Sequence, residues 1–196
     1  MGAGIFTVIA YLLGSVNTAI IICQLMKLPD PRTEGSKNPG ATNVMRVAGR
    51  NAAIIVLVMD ILKGFIVVLV AKAFGITGFG LGLVAFGATL GHVFPAFYGF
   101  QGGKGVATAI GGILGLNIWV GVIAALVWII TAAITRLASL SSLVAIILAN
   151  IFILFVNPGF FIPVLGITVL VTWRHRENIT RIRAGTESQM DFSRLK

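Results

Sequence analysis

The chain has few charged residues, and few residues of any kind that would face water. Only 11% of its 196 residues are Asp, Glu, Lys or Arg, against about a quarter in a typical soluble domain. Apolar residues make up 57%, and the mean hydropathy is +1.00. These values exclude an ordinary soluble domain and predict an all-α, polytopic helix bundle, embedded in a membrane as one domain over residues 1–196.

Carboxylates and cysteine are the scarcest reactive groups. The six acidic residues are scattered, which excludes the Asp-rich metal motif that a CDP-alcohol phosphotransferase needs. We therefore predict no metal site and no cofactor. The single cysteine, Cys23, cannot form an intramolecular disulfide, and its place in an apolar run predicts a small buried side chain.

The net charge of +9 comes from basic residues that stand in the breaks between apolar runs. Five of them lie within residues 27–50 and six within residues 174–196, while Lys104 and Arg136 stand in shorter breaks. This distribution is typical of cytoplasmic loops rather than of a nucleic-acid-binding surface. It predicts a multi-pass membrane protein with a basic cytoplasmic C-terminal segment, 174–196, and no nucleic-acid partner.

Six apolar runs define the membrane topology. They are Gly4–Met26, Ala52–Ala71, Gly80–Tyr98, Val106–Thr135, Leu143–Val156 and Phe160–Trp173. If the basic breaks all face the cytoplasm, the N-terminus lies outside and the C-terminus inside. The fourth run is long for one span and short for two, so Asn117 predicts a short helix, a turn and a longer helix; a re-entrant segment satisfies the same parity. The "NPG" at 157–159 predicts another turn. We expect five to seven transmembrane helices and favour seven.

The first polar break, "GSKNPGATNVMR" at 35–46, concentrates small hydrogen-bonding residues in an otherwise apolar chain. Its polar side chains include Ser36, Asn38, Thr42, Asn43 and the cationic Arg46. Glycines here, such as Gly40, permit close backbone approach. We expect a helix to begin after Pro39 and to aim free N–H groups at the loop. Both an anion cradle and an ordinary cytoplasmic connector fit this composition.

The second polar break, "GFQGGKGVAT" at 99–108, again sets glycines around a lysine before an apolar helix. It is not a P-loop, because Gly105 follows Lys104 where that motif has Ser or Thr. Gly102 and Gly103 nevertheless offer backbone N–H groups beside a point positive charge, which suits a phosphate. The alternative is a flexible re-entrant turn with one snorkelling lysine. Two such breaks on one face predict two phosphorylated ligands, or one ligand held at both ends.

Other polar residues stand within or beside the apolar runs. His92 is costly in a membrane, so a ligand or acid–base role and a packing role are both open. "SLSS" at 139–142 either caps the next helix or lends a hydroxyl to a substrate. Asp60 and Lys63 lie one turn apart, which predicts a buried ion pair, with substrate contact as the alternative. "RHRENITR" at 174–181 is either a membrane-anchoring patch or a more selective site.

Together, "GSKNPGATNVMR", "DILKG", "GHVFPAFYGFQGGKGVAT", "SLSS" and "RHRENITRIRAGTE" resemble the motifs of the PlsY family, the bacterial acyl-phosphate:glycerol-3-phosphate acyltransferases. The resemblance covers nearly the whole chain, in the same order. It implies a seven-helix, multi-pass enzyme of the bacterial inner membrane whose active site faces the cytoplasm. This enzyme would move a fatty acyl group from acyl phosphate to the 1-position of sn-glycerol 3-phosphate. The products would be lysophosphatidic acid and phosphate, in the first step of phospholipid synthesis.

The same resemblance implies roles for individual residues. It places Ser36, Asn38, Gly40 and Thr42 around one phosphate, Arg46, Lys104, Ser142 and Asn178 on the other substrate, and His92 and His175 along the site. The catalytic candidates are Ser36, His92 and Lys104, and the binding set further includes Asn43, Gly102 and Gly103. Two positions depart from the family pattern: Gln101 stands where a basic residue is common, and Leu137 where an aromatic residue is common. Both bear on affinity.

No nucleophile–base pair is recognisable, and the fifth residue after each histidine, Phe97 or Thr180, is not the Asp of the usual glycerolipid acyltransferase signature. Because acyl phosphate is already activated, we expect positioning and charge stabilisation to supply the catalysis. A substrate phosphate would take the hydroxyl proton, since we expect no carboxylate in either cradle or beside His92. The rival hypothesis is a transporter or flippase for a phosphorylated lipid or metabolite; a non-catalytic membrane scaffold is the third.

Overall fold

The computed structural model describes residues 2–191, and their regular structure is entirely helical. The helices are α1 (Gly2–Gly14), α2 (Thr18–Leu25), α3 (Ala41–Val47), α4 (Arg50–Ala73), α5 (Gly78–Val93), α6 (Val106–Leu116), α7 (Ile118–Thr135), α8 (Ala138–Val156), α9 (Phe161–Arg174) and α10 (Arg176–Arg183). Single 3-10 turns cover Ala96–Tyr98 and Pro158–Phe160. Of the predicted basic segment 174–196, residues 192–196 lie outside the described residues.

Five helical stretches in the described chain are long and apolar enough to cross a membrane. They are α1 with α2, α4, α5 with the turn that follows it, α7, and α8, while α6 and α9 are shorter apolar helices. Their outer surfaces carry large apolar side chains such as Ile134 and Phe155, each 77% exposed, as expected of helices that face lipid. The predicted all-α membrane bundle is confirmed; the number of spans and the orientation of the termini stay predictions.

Two asparagines interrupt the apolar runs. Asn17 Oδ1 accepts a hydrogen bond from the N–H of Ile20 at 3.3 Å and starts α2, so the first run is broken where its sequence predicts continuity. Asn117 Oδ1 accepts from the N–H groups of Trp119 and Val120 at 3.0 and 3.1 Å. The predicted turn between a short and a longer helix is therefore confirmed.

The two ends of α8 show one prediction confirmed and one wrong. The turn predicted at 157–159 is present, and Asn157 Oδ1 accepts a 2.6 Å hydrogen bond from Asn117 Nδ2. The capping role for 139–142 is wrong, because α8 begins at Ala138, ahead of these serines. The hydroxyl of Ser142 instead donates to the Ala138 carbonyl at 2.7 Å, within the first turns of the helix.

Glycines allow close approach between the helices that flank the polar breaks. A Cβ at Gly64 of α4 would collide with the carbonyl oxygen of Thr108 in α6, and one at Gly91 of α5 with that of Tyr11 in α1. Close backbone approach supplies the van der Waals contact that holds helices together in lipid. These contacts fix α1, α4, α5 and α6 against one another, which positions the loop between α5 and α6.

Candidate active site

A cavity of about 540 Å³ opens at the end of the bundle where both polar breaks lie. The described residues that line it are Gly35, Ser36, Lys37, Asn38, Arg46, Gly102, Lys104, Arg174, Arg176, Glu177, Asn178, Arg181, Thr186 and Ser188. They come from three parts of the chain: the first break, the second break, and the segment around α10. The prediction that the two breaks share one face is therefore confirmed, and they share a single cavity.

Basic side chains dominate this cavity. Among the described lining residues, six are Lys or Arg and one, Glu177, is acidic. That carboxylate lies at the rim with its side chain 75% exposed, 3.8 Å from Arg176. Positive charge concentrated in a cleft attracts anions, and arginine is well suited to phosphate oxygens. The lining therefore favours one or two phosphate groups.

The first break is folded around one buried asparagine. Asn43 is 1% exposed; its Oδ1 accepts from the N–H of Ser36 at 2.8 Å, and its Nδ2 donates to the carbonyls of Pro31 and Glu34. Asn43 therefore holds the loop that presents Ser36 and Asn38 to the cavity, and does not itself line it. The predicted start of α3 after Pro39 is confirmed.

The second break is held from two sides. The guanidinium of Arg174 donates to the carbonyls of Gly102 and Gly103 at 3.0 and 3.3 Å, and the N–H of Gly103 donates to the His92 carbonyl at 3.2 Å. The prediction that the Gly103 N–H is free for an anion is therefore wrong, because that group is bound within the protein. Gly102 and Lys104 still line the cavity.

Lys104 is joined to α10 and to the segment that follows it. Its Nζ donates to Asn178 Oδ1, and Asn178 Nδ2 donates to Glu187 Oε1 at 2.6 Å. Burial is the main cause that lowers the pKa of Lys104 to about 8, while the charge of Glu187 opposes that shift. The ammonium is therefore protonated at neutral pH, and a bound phosphate would favour that form further.

Glu187 organises the wall around Lys104. Besides Asn178, its carboxylate accepts from Ser139 Oγ at 2.8 Å and from Arg181 Nε at 2.7 Å. Burial alone would raise the pKa of Glu187, but the hydrogen bonds from Asn178, Arg181 and Ser139 lower it overall. Glu187 is not among the residues that line the cavity, but Asn178 connects its carboxylate to Lys104, a contact that the sequence did not predict.

The segment after α10 contacts both the first break and the turn between α7 and α8. Arg46 Nη2 donates to Ser188 Oγ at 2.9 Å, and the N–H of Met190 donates to the Arg136 carbonyl at 2.7 Å. Sequence reasoning did not select Ser188 or Glu187 as site residues, and it noted Arg174 only as part of a basic patch. Asn178 was selected through the family resemblance, while Arg181, which also lines the cavity, was not selected. The spacing of the two residues, three apart on one short polar helix, is a signal that could have found Arg181.

Several predicted site residues lie behind the cavity wall. Gly40, Thr42, Asn43, His92, Gly103, Ser142 and His175 are not among the lining residues. The Ser142 hydroxyl accepts a 3.0 Å hydrogen bond from Trp128 Nε1 and donates within α8. His175 is 2% exposed with Nδ1 2.8 Å from the Val171 carbonyl, and burial, aided by the charge of Lys104, lowers its pKa to about 4.

His92 lies beside a carboxylate, contrary to expectation. Its Nδ1 is 3.5 Å from Asp60 Oδ1 and 3.2 Å from Thr108 Oγ1. Asp60 in turn forms the predicted ion pair with Lys63 at 2.8 Å. The sequence did not predict this contact, because Asp60, His92 and Thr108 are far apart in the chain. They meet because α4, α5 and α6 pack closely.

An apolar groove of about 580 Å³ adjoins the polar cavity. It is lined by Phe86, Ile162, Leu165, Gly166, Val169, Leu170 and Trp173, from α5 and α9. Trp173 stands at the junction: its ring lies 5.8 Å from that of Phe94 and 4.8 Å from the guanidinium carbon of Arg176, which lines the cavity. A ligand with a phosphate and a hydrocarbon chain could occupy both.

Known proteins resemble this chain over nearly its full length. The sequence profile of the family described as glycerol-3-phosphate acyltransferase matches residues 4–185. Proteins of that name from Thioalkalivibrio sulfidiphilus and Coxiella burnetii are 50% and 47% identical over 183 and 184 residues. These alignments span 92% and 93% of this chain, and 90% and 95% of the relatives.

Solved structures show the same fold. The crystal structure of PlsY (YgiH), an integral membrane glycerol 3-phosphate acyltransferase, in its glycerol 3-phosphate form superposes with a TM-score of 0.93 at 38% identity. Its lysophosphatidic acid form gives a TM-score of 0.90 at 37% identity. Both comparisons cover 100% of this chain and 98% of the other.

Proposed function

This chain belongs to the glycerol-3-phosphate acyltransferase family, and from that premise we propose that it acylates the 1-hydroxyl of sn-glycerol 3-phosphate with acyl phosphate as donor. The hydroxyl oxygen attacks the acyl carbonyl carbon, and the bond from that carbon to the phosphate oxygen breaks. The products are lysophosphatidic acid and inorganic phosphate. No cofactor or metal takes part in the proposed step.

The basic cavity carries this proposal. Both substrates bear a phosphate, and cationic side chains from both breaks face one cavity of about 540 Å³. Fixed positive charge in the cavity stabilises charge that develops on the departing phosphate. Holding both substrates in one cavity turns a bimolecular reaction into an effectively unimolecular one.

Specific residues take the binding roles. Arg46 and Lys104 bind phosphate oxygens, and Ser36, Asn38 and Asn178 add neutral hydrogen bonds from the cavity lining. The residues behind the wall support these groups. They are Gly40, Thr42, Asn43, His92, Gly103, Ser142 and His175.

A substrate phosphate takes the hydroxyl proton. Among the described residues near the cavity, the Glu177 carboxylate lies exposed at the rim, and the Glu187 carboxylate already accepts from Asn178, Ser139 and Arg181. Neither is placed as a general base. A phosphate dianion bound in the same cavity would serve as that base.

The acyl chain occupies the apolar groove between α5 and α9. The groove begins at Trp173, where it meets the polar cavity, and it follows the helices into the apolar part of the bundle. The placement of basic residues favours a cavity that faces the cytoplasm of a bacterial cell, with the bundle in the inner membrane. There the enzyme forms one membrane domain over residues 1–196.

Purified protein in detergent provides the test. Labelled glycerol 3-phosphate and acyl phosphate are incubated with wild-type protein, and lysophosphatidic acid is measured; a parallel incubation uses acyl-CoA as donor. Product from acyl phosphate without a membrane barrier supports the proposal. Phosphate or lipid flux across vesicles without any acyl transfer would contradict it and favour a transporter.

A further inference from the structure

A buried charged cluster lies beneath the second break, outside the cavity. We define it as Asp60, Lys63 and His92. Asp60 is 2% exposed in the middle of a membrane-spanning helix, and neither it nor Lys63 lines the cavity. A charge buried inside a membrane helix bundle needs partners, and ionisable groups of this kind commonly serve a function.

The carboxylate of Asp60 joins three helices. Its Oδ1 accepts from Thr18 Oγ1 of α2 at 2.7 Å, is 2.8 Å from Lys63 Nζ on α4, and is 3.5 Å from His92 Nδ1 on α5. Lys63 Nζ also donates to the carbonyl of Val16 at 3.1 Å, in the break between α1 and α2. The cluster is thus satisfied by protein groups and is not a substrate pocket.

His92 connects this ion pair to the glycine loop. The N–H of Gly103 donates to the His92 carbonyl, and a Cβ at Gly103 would collide with His92 Nε2. On its other edge the ring touches Asp60 and the hydroxyl of Thr108, in the first turn of α6. The imidazole therefore lies between the carboxylate and the residue that precedes Lys104.

We propose that Asp60 and Lys63 are positioning residues: through His92 they hold the loop 102–105 so that Lys104 faces the phosphate in the cavity. This inference rests on the proposed function for its kinetic readout. In a static role, the ion pair would only join α4 to its neighbours. The geometry gives the ion pair a second role, in holding the loop 102–105, because the contacts continue from Asp60 through the His92 imidazole to the backbone of that loop.

The test uses a charge-balanced variant, Asp60→Asn with Lys63→Met. Removing both charges leaves no uncompensated buried ion, so the bundle is expected to fold. A displaced Lys104 should lower kcat/KM for glycerol 3-phosphate by about 10- to 100-fold. The matched control is Asp30→Asn with Arg32→Met, which removes an exposed pair at 2.7 Å outside the cavity lining; its kcat/KM should equal that of wild type.

A double-mutant cycle that combines the charge-balanced variant with Lys104→Met separates a positioning role from simple structural support. If the pair acts through Lys104, removing it in the Lys104→Met background should change kcat/KM little further. Losses that multiply would overturn the proposal, as would wild-type kcat/KM in the charge-balanced variant. If that variant fails to fold, Thr18→Val removes one neutral donor to Asp60 and should lower kcat/KM about three- to tenfold; no change would equally overturn it.

Binding of radiolabelled inorganic phosphate to the same purified variants needs no turnover. If wild type forms no lysophosphatidic acid, the proposed function fails, while the binding cycle still decides the positioning role. We expect the charge-balanced variant to bind phosphate more weakly than wild type. When Lys104 is already Met, removing the ion pair should weaken phosphate binding no further. Equal binding by wild type and that variant would contradict it.

Discussion

The two polar regions of the molecule differ in the balance of their charges. In the described lining of the cavity, six basic side chains face one acidic side chain at the rim. In the cluster beneath it, one carboxylate is matched by one ammonium, and hydroxyl, imidazole and carbonyl groups complete the contacts.

The difference separates binding from positioning. An excess of positive over negative side chains at an accessible surface is stabilised by a ligand of the opposite charge. A buried cluster whose charges are paired within the protein has no free charge with which to bind a ligand. Its effect is on the geometry of the neighbouring residues. A lysine in the cavity and a lysine in the cluster should therefore respond differently to substitution.

The largest expected effect comes from removing the cavity cation of the second break. Lys104→Met should lower kcat/KM for glycerol 3-phosphate by about 10²- to 10³-fold, because the charge stabilisation supplied by a largely buried ammonium is lost. Steady-state formation of lysophosphatidic acid in detergent measures it. Lys72→Met, at the exposed far end of α4, is the control and should behave as wild type; an equal loss in both would refute a specific role.

The pH dependence of activity should report the same lysine. Since the pKa of Lys104 is lowered to about 8, its charge is present below that pH and is lost above it. We expect kcat/KM to fall by about tenfold per pH unit above pH 8. Lys104→Arg, which stays charged, should lack this decline even if its maximum is lower. A decline that persists unchanged in the Arg variant would assign the titration to another group.

A substitution in the apolar groove should change donor choice rather than chemistry. A Cβ at Gly166 would already lie 3.2 Å from the ring of Phe86, so Gly166→Leu should fill the groove. Preference should shift toward shorter acyl phosphates by roughly tenfold in relative kcat/KM. Competition between donors of two lengths measures it, with lipid-facing Ile130→Leu as control. An unchanged preference would place the chain elsewhere.

The smallest effect on activity is expected at the opposite end of the bundle. Asn117 caps α7 and bonds Asn157, so Asn117→Ala should cost about 1 kcal/mol of stability and ~2–4 °C in melting temperature. Turnover at low temperature should not change. Thermal unfolding in detergent, with the exposed amide variant Gln24→Ala as control, measures it; lost turnover with an intact fold would contradict the separation of the two ends.

Local patterns made much of this predictable. Hydropathy and the placement of basic residues gave the membrane bundle and both breaks, and the spacing of Asp60 and Lys63 gave their ion pair. These features depend on residues close together in the chain. They are visible because side chains in lipid follow strict rules of composition.

Contacts between distant segments were not predictable in the same way. The approach of His92 to Asp60 depends on helix packing through glycines, and the role of Glu187 depends on the return of the chain after α10. The inward direction of the Gly103 N–H is set by a backbone partner, the His92 carbonyl. Sequence reasoning therefore selected both breaks that line the cavity, but it also selected residues such as Asn43 and Gly103 that do not line it.

The central claim is that cations from both breaks act on substrate in one cavity. Steady-state kinetics of Arg46→Met, Lys104→Met and the double variant test it most directly, with lysophosphatidic acid as the product measured. Each single variant should lose at least about tenfold in kcat/KM, and the double variant should lose less than the product of the two, because the residues work as a unit. Wild-type turnover in either single variant, or two losses that simply multiply, would contradict a shared site.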